Sequence, residues 1–115
     1  MKRILFLLFF FSLTAQGADK VKIGFISTLS GPNASIGSDI RDAFNLAVKL
    51  NGGKLGGLPA EVLVSDDQFK PDVAKQLFEK NIKRDKVDFM TGVVFSNIML
   101  AALPEALDKD RKSVV

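Results

Sequence analysis

Three apolar runs, each followed by turn formers and then by a stretch with helical periodicity, constrain this chain most. Val21-Lys22-Ile23-Gly24-Phe25-Ile26-Ser27 begins by alternating and then becomes nearly continuous in apolar residues. That pattern predicts a strand covered on both faces, as in parallel sheets. It ends at Thr28-Leu29-Ser30-Gly31-Pro32-Asn33, a cluster of turn residues. Ile36, Ile40, Ala43, Phe44, Ala47 and Leu50 then recur at helical spacing, with Asp39, Arg41, Asp42 and Lys49 mostly between them. Asn51-Gly52-Gly53 closes that helix with residues suited to a left-handed cap.

The second unit has the same order. Lys54-Leu55-Gly56-Gly57-Leu58-Pro59 reads as a loop, and Ala60-Glu61-Val62-Leu63-Val64-Ser65 as a short strand ending at Asp66-Asp67. Pro71 suits the first turn of a helix, where its missing N–H has no partner to lose. Val73, Ala74, Leu77, Phe78 and Ile82 form the stripe of this helix, and Asp72 near its start with Lys80, Lys83 and Arg84 near its end complement its dipole. The charge run from Lys80 to Lys86 is accordingly read as a solvated helix end.

Val87-Asp88-Phe89-Met90-Thr91-Gly92-Val93-Val94 predicts a third strand, and Phe95-Ser96-Asn97 turns into a third helix carrying Ile98, Leu100, Ala101, Leu103 and Leu107. Pro104 should kink or delay that helix. Ser113-Val114-Val115 reads as the opening of a fourth strand. With right-handed crossovers, β-α-β-α-β-α-β predicts an α/β fold of three layers, a parallel sheet with helices on both faces. Ligands of such sheets sit beyond the carboxyl ends of the strands. The loops to inspect are therefore 28–35, 66–70 and 95–97.

The N-terminus has a different character. Met1-Lys2-Arg3 precedes Ile4-Leu5-Phe6-Leu7-Leu8-Phe9-Phe10-Phe11, and Ser12-Leu13-Thr14 leads to Ala15-Gln16-Gly17-Ala18. A basic start, a short apolar stretch and small residues two apart predict a secretory signal peptide over 1–17, cleaved after Gly17. The apolar stretch is about ten residues, roughly 15 Å as a helix, half of what a bilayer core requires. No Cys follows for lipid attachment. A periplasmic protein that does not itself span the membrane is expected, with a mature domain over 18–115.

Charge and composition matter once that segment is set apart. The whole chain has 16 Lys+Arg against 13 Asp+Glu. Losing Lys2 and Arg3 leaves 14 against 13, or +1, and removes the case for nucleic acid as a partner. The 115 residues include no Cys, His, Trp or Tyr. Thiolate zinc sites, Cys or His nucleophiles and His general bases are thereby excluded.

Gly52-Gly53-Lys54-Leu55-Gly56-Gly57 looks superficially like a phosphate loop, but it joins a helix to a strand, whereas such loops join a strand to a helix. Asp66-Asp67 could be read as an acid/base or metal pair. Adjacent strand residues point to opposite faces, however, and with no His nearby a turn or loop-capping role fits better. No catalytic residue, cofactor or metal ligand is assigned, and a non-enzyme is expected. Ser30-Gly31-Pro32-Asn33 and Phe95-Ser96-Asn97 remain as candidate ligand-binding residues. Both follow strands and precede helices, so their hydroxyls, amides and free backbone N–H groups suit a carboxylate. The competing reading is that Ser30 and Ser96 only cap backbone.

Val21-Lys22-Ile23-Gly24-Phe25, Leu29-Ser30-Gly31-Pro32-Asn33-Ala34, the stretch from Ala47 to Asn51-Gly52-Gly53, and Val64-Ser65-Asp66-Asp67 with Pro71, in that order, resemble the start of type I periplasmic binding proteins. These are the extracytoplasmic substrate-binding components of ABC importers, here in the leucine/isoleucine/valine-binding branch. The resemblance runs from Val21 to Val115 and implies two α/β lobes that close on a small-molecule ligand and dock on an ABC permease in the inner membrane. It implies that the loop at Ser30-Gly31-Pro32-Asn33 lines the cleft and that the loop holding Ser96 and Asn97 meets the ligand carboxylate. Relatives that bind branched amino acids carry consecutive small hydroxyl residues there. This chain has Phe95-Ser96-Asn97-Ile98 instead, and its bulkier, more apolar Thr91-Gly92-Val93-Val94-Phe95-Ser96-Asn97 is similar to the branch that takes aromatic carboxylates such as benzoate derivatives; both ligand classes stay open. The same fold also serves receptors and amide-type sensors, which is the alternative reading. Because such a protein needs a second lobe, the chain is expected to be an N-terminal fragment or a truncated product.

Overall fold

The computed structural model describes residues 19–107. The expected signal peptide, its cleavage point and the fourth strand at Ser113–Val115 lie outside the described residues. Strand β1 spans Val21–Ser27, helix α1 Ala34–Leu50, strand β2 Lys54–Leu55, strand β3 Leu58–Asp66, helix α2 Pro71–Lys80, strand β4 Phe89–Thr91 and helix α3 Ser96–Ala106. The sheet order is β2-β3-β1-β4. β1 pairs in parallel with β3, Val21 opposite Ala60 through Ser27 opposite Asp66, and in parallel with β4, Phe25 opposite Thr91.

β1 lies between two parallel neighbours, as its near-continuous apolar run requires, and Ile23, Phe25 and Ile26 are all buried. Successive residues serve opposite faces. Phe25 meets Phe44 of α1 with ring centroids 5.4 Å apart. Ile26 joins Ala74, Phe78, Ile82, Met90, Ile98, Ala102 and Ala106 in the core beneath α2 and α3. The expected α/β architecture is thus present: helices cover both faces of a largely parallel sheet. The core lies chiefly on the α2–α3 side.

Three local expectations are corrected. Lys54–Pro59 is not a simple loop, because Lys54-Leu55 pairs antiparallel with Leu58-Pro59 as a hairpin. Gly56 and Gly57 have φ of 57° and 80°, the backbone a two-residue hairpin turn needs. The third strand contracts to Phe89–Thr91, because Gly92 at φ 98° takes the chain out of the sheet. α2 passes into a π-helical turn at Asn81–Asp85, closed by Lys86 in the left-handed region. α3 continues through Pro104, and the Leu107 N–H still reaches the Leu103 carbonyl at 3.1 Å.

α1 is the largest departure. Its contact face is Gly37, Arg41, Phe44 and Val48, whereas Ile36, Ile40 and Leu50 stay exposed. Gly37 is buried where α1 approaches the end of β1. A Cβ there would lie 2.8 Å from Ser27 Oγ and from the Thr28 carbonyl carbon, and closer still to the Thr28 oxygen. Lacking that atom, Gly37 lets the helix settle closely on the strand end.

Candidate functional site

The carboxyl ends of β1, β3 and β4 lie side by side because the strands are parallel and in register. Three loops emerge there, at 28–33, 67–70 and 92–95, leading into α1, α2 and α3. The two groups of candidate residues, Ser30-Gly31-Pro32-Asn33 and Phe95-Ser96-Asn97, therefore sit at the same end of the sheet.

The first loop is fastened to the second by paired carboxylates. Asp66 Oδ1 accepts the Leu29 N–H and the Gln68 N–H, each at 2.8 Å. Burial pushes the Asp66 carboxyl up, but hydrogen bonds from the Ser30 hydroxyl and from the Leu29, Gln68 and Ser30 amides outweigh it and hold the group below its ordinary value. Asp67 is fully buried, and its Oδ1 accepts the Thr28 hydroxyl at 2.6 Å and the Phe69 N–H at 2.8 Å. The Asp67 N–H in turn donates to the Ser27 carbonyl at 3.0 Å. The acidic pair thus has the loop-capping role read from its sequence. It also joins two loops 37 to 39 residues apart in the chain, a partnership that local sequence does not signal.

Ser30 is drawn into this brace through Asp66. Gly31 takes φ 79°, and the Ala34 N–H reaches its carbonyl at 3.1 Å. Asn33 precedes α1 without capping it through its side chain. Ser30, Gly31 and Pro32 are exposed and Asn33 is half-buried.

The third loop differs. Phe95 is the residue before α3 and takes extended backbone, but its side chain has no polar atom and does not cap the helix. Ser96 and Asn97 form its exposed first turn, where the backbone N–H groups have no acceptor within the helix. The hydroxyl of Ser96 does not serve as the cap its competing reading required. α3 thus offers an uncapped helix start with a hydroxyl and a carboxamide beside it, an arrangement matched to an anionic oxygen.

No group of three potential metal-binding side chains occurs among the described residues. No described helix is long and apolar enough to cross a membrane. In the basic run, Lys80 pairs with Asp85 at 3.5 Å and Lys83 with Glu79 at 2.6 Å.

Comparison with known proteins decides the family. Residues 20–115 match the model of a family described as periplasmic binding protein. The chain belongs to that family. Among relatives of this periplasmic binding protein is Leu/Ile/Val-binding protein homolog 6 of Brucella abortus (strain 2308). It is 32% identical over 97 residues, 82% of this chain and 25% of the relative. A solute-binding protein of an ABC transporter from Rhodopseudomonas palustris BisB5, solved with 3,4-dihydroxybenzoic acid, superimposes with a TM-score of 0.76 at 33% identity, over 84% of this chain and 26% of that one. The branched-chain amino acid transporter substrate-binding protein LivJ of Streptococcus pneumoniae, solved with isoleucine, gives a TM-score of 0.73 at 25% identity, over 82% and 28%. The chain spans about a quarter of the length of the relatives it matches. These relatives are binding proteins, and the reading of the chain as a non-enzyme stands on that membership.

Proposed function

We propose that this chain is the N-terminal part of one lobe of an extracytoplasmic solute-binding protein, exported by a signal peptide over 1–17, with its mature domain beginning at Ala18. The whole protein captures a small carboxylate, a branched-chain amino acid or an aromatic acid, and delivers it to an ABC permease in the inner membrane. The observation that carries this reading is the uncapped start of α3, at the same end of the parallel sheet as the loop of Ser30 to Asn33. In the proposed site the first-turn amides of α3 and the Ser96 hydroxyl receive the carboxylate, Asn97 flanks them, and Ser30, Gly31, Pro32 and Asn33 line the opposite rim. Phe95 fixes the backbone ahead of Ser96. The relatives solved with isoleucine and with 3,4-dihydroxybenzoic acid support both ligand classes, since each ligand has a carboxylate.

The remaining wall of the cleft belongs to a second lobe, so affinity is expected from the whole protein, where closure buries the ligand. Calorimetric titration of the whole protein with leucine, isoleucine, valine, benzoate and 4-hydroxybenzoate tests the reading. Heat of binding with at least one acid, absent with its primary amide, is expected. Silence across the panel would sink it.

A further inference from the structure

The loop after β3 has an unusual backbone. Gln68 and Phe69 are consecutive non-glycine residues in the left-handed region, at φ 55° and 57°, a conformation that persists only where its surroundings impose it. The imposition is visible in the two carboxylates, which receive the Gln68 and Phe69 N–H groups at 2.8 Å each. The result is to carry the Phe69 ring across to the next loop. It meets Phe95 edge to face, with centroids 4.8 Å apart and planes at 78°, a preferred aromatic geometry.

Phe95 is a strategic partner. It precedes the first turn of α3, and its carbonyl accepts the Met99 N–H at 3.0 Å. Its ring also packs on the core below α2 and α3. Among the described residues the covalent connection from the sheet to α3 is 92–95, following a three-residue strand and beginning with Gly92 at φ 98°, a joint with wide backbone freedom. Phe69, 40% exposed, adds little to the core and instead spans two loops.

We infer that Phe69 and Phe95 are a positioning pair, an aromatic brace that holds the start of α3 in register with the Asp66–Asp67 loop. Its consequence for ligand binding rests on the carboxylate site proposed above. Loop one is tied to loop two by carboxylates and loop two to loop three by the ring pair, so the three loops move as one wall. Neither ring needs to touch the ligand.

The test uses Phe69→Gly, which removes the ring but suits the left-handed backbone and so spares the fold, together with Phe95→Leu, the double variant and Phe69→Tyr. Two readouts are taken on the whole protein: hydrogen exchange at the Met99 amide without ligand, and affinity for benzoate and leucine. An aromatic pair corresponds to about a 2- to 12-fold change in an equilibrium constant. Met99 exchange is expected to quicken by about that factor in Phe69→Gly and by at least that factor in Phe95→Leu, whose ring also packs on the core, no further in the double variant than in Phe95→Leu alone, and to return in Phe69→Tyr. Exchange at Phe25 in β1 stays unchanged, and the affinity of any acid that binds the unmodified protein weakens by a similar factor. Unchanged Met99 exchange in Phe69→Gly, or equal acceleration at Met99 and Phe25, would overturn the brace. If Met99 responds as expected while neither acid binds the unmodified protein, the brace stands and the carboxylate reading fails.

Discussion

Replacing Gly37 by alanine reverses what helix propensity predicts. Gly37 lies inside α1, and alanine there gains up to about 1 kcal/mol of intrinsic helix preference. The new Cβ, however, would sit 2.8 Å from Ser27 Oγ and from the Thr28 carbonyl carbon, where ordinary contact begins at 3.4 Å. One neighbour is backbone at the end of the central strand, so no rotamer change removes the clash, and α1 must lift by more than half an ångström. Thr28 cannot yield freely, because its hydroxyl is committed to the buried Asp67 carboxylate. Overpacking of this kind costs about 3 kcal/mol. Against a gain of about 1, the expected net loss is about 2 kcal/mol. In a domain of about 60–100 residues a loss of that size lowers the melting temperature by roughly 8–16 °C, and by less in a larger folding unit. Urea unfolding followed by far-ultraviolet circular dichroism measures it, with exposed Asn45→Ala in the same helix as a control gaining a few tenths of a kcal/mol. A Gly37→Ala chain as stable as the parent, or more stable, would refute the argument that α1 docks through this absent side chain.

Other predictions concern the same framework. Asp66 is held below its ordinary value in the folded chain, so its contribution to stability is present above about pH 4 and is lost as pH falls through the folded value. Asp66→Asn should therefore be less stable than the parent at pH 7, with a gap that narrows in denaturant titrations below pH 4. Gly24→Ala should cost about 1–3 kcal/mol, since its Cβ would meet the buried Asn81 Oδ1 at 2.7 Å; unfolding of Gly24→Ala/Asn81→Ala should show a loss smaller than the sum of the single changes. Ser96→Ala should weaken carboxylate binding by about 1.5–3 kcal/mol in calorimetry of the whole protein. It should leave the melting temperature unchanged, because its hydroxyl does not cap α3; a lower melting temperature with intact affinity would return Ser96 to a structural role.

Much of the fold was legible because its signals are local. The apolar run of β1, Pro71 at the start of α2 and the glycines after α1 each act through their own backbone, and the structure places them as their chemistry requires. The hairpin at Lys54–Pro59 was less visible, since only two residues of β2 pair and Gly56-Gly57 suits a loop as well as a turn. The π turn was invisible: Asn81 looks like a surface residue in sequence, yet it is buried against Gly24 with its Nδ2 donating to the Leu77 carbonyl at 2.8 Å. Ser30, Asn33, Ser96 and Asn97 were singled out by their position between strands and helices, and the parallel sheet brings their loops to one end. Phe69 was missed, because a lone aromatic residue in a loop announces no partner.

What the sequence determined by itself is the alternation of three main strands with three helices, the exclusion of Cys and His chemistry, and the likeness to periplasmic binding proteins, all of which depend on residue type and short spacing. Tertiary structure alone decided which face of α1 meets the sheet, that Asp66 and Asp67 join two loops, and that Phe69 reaches Phe95. Each of these depends on close approach between segments far apart in the chain, where one missing Cβ or one left-handed residue sets the geometry, and periodicity has no term for such contacts.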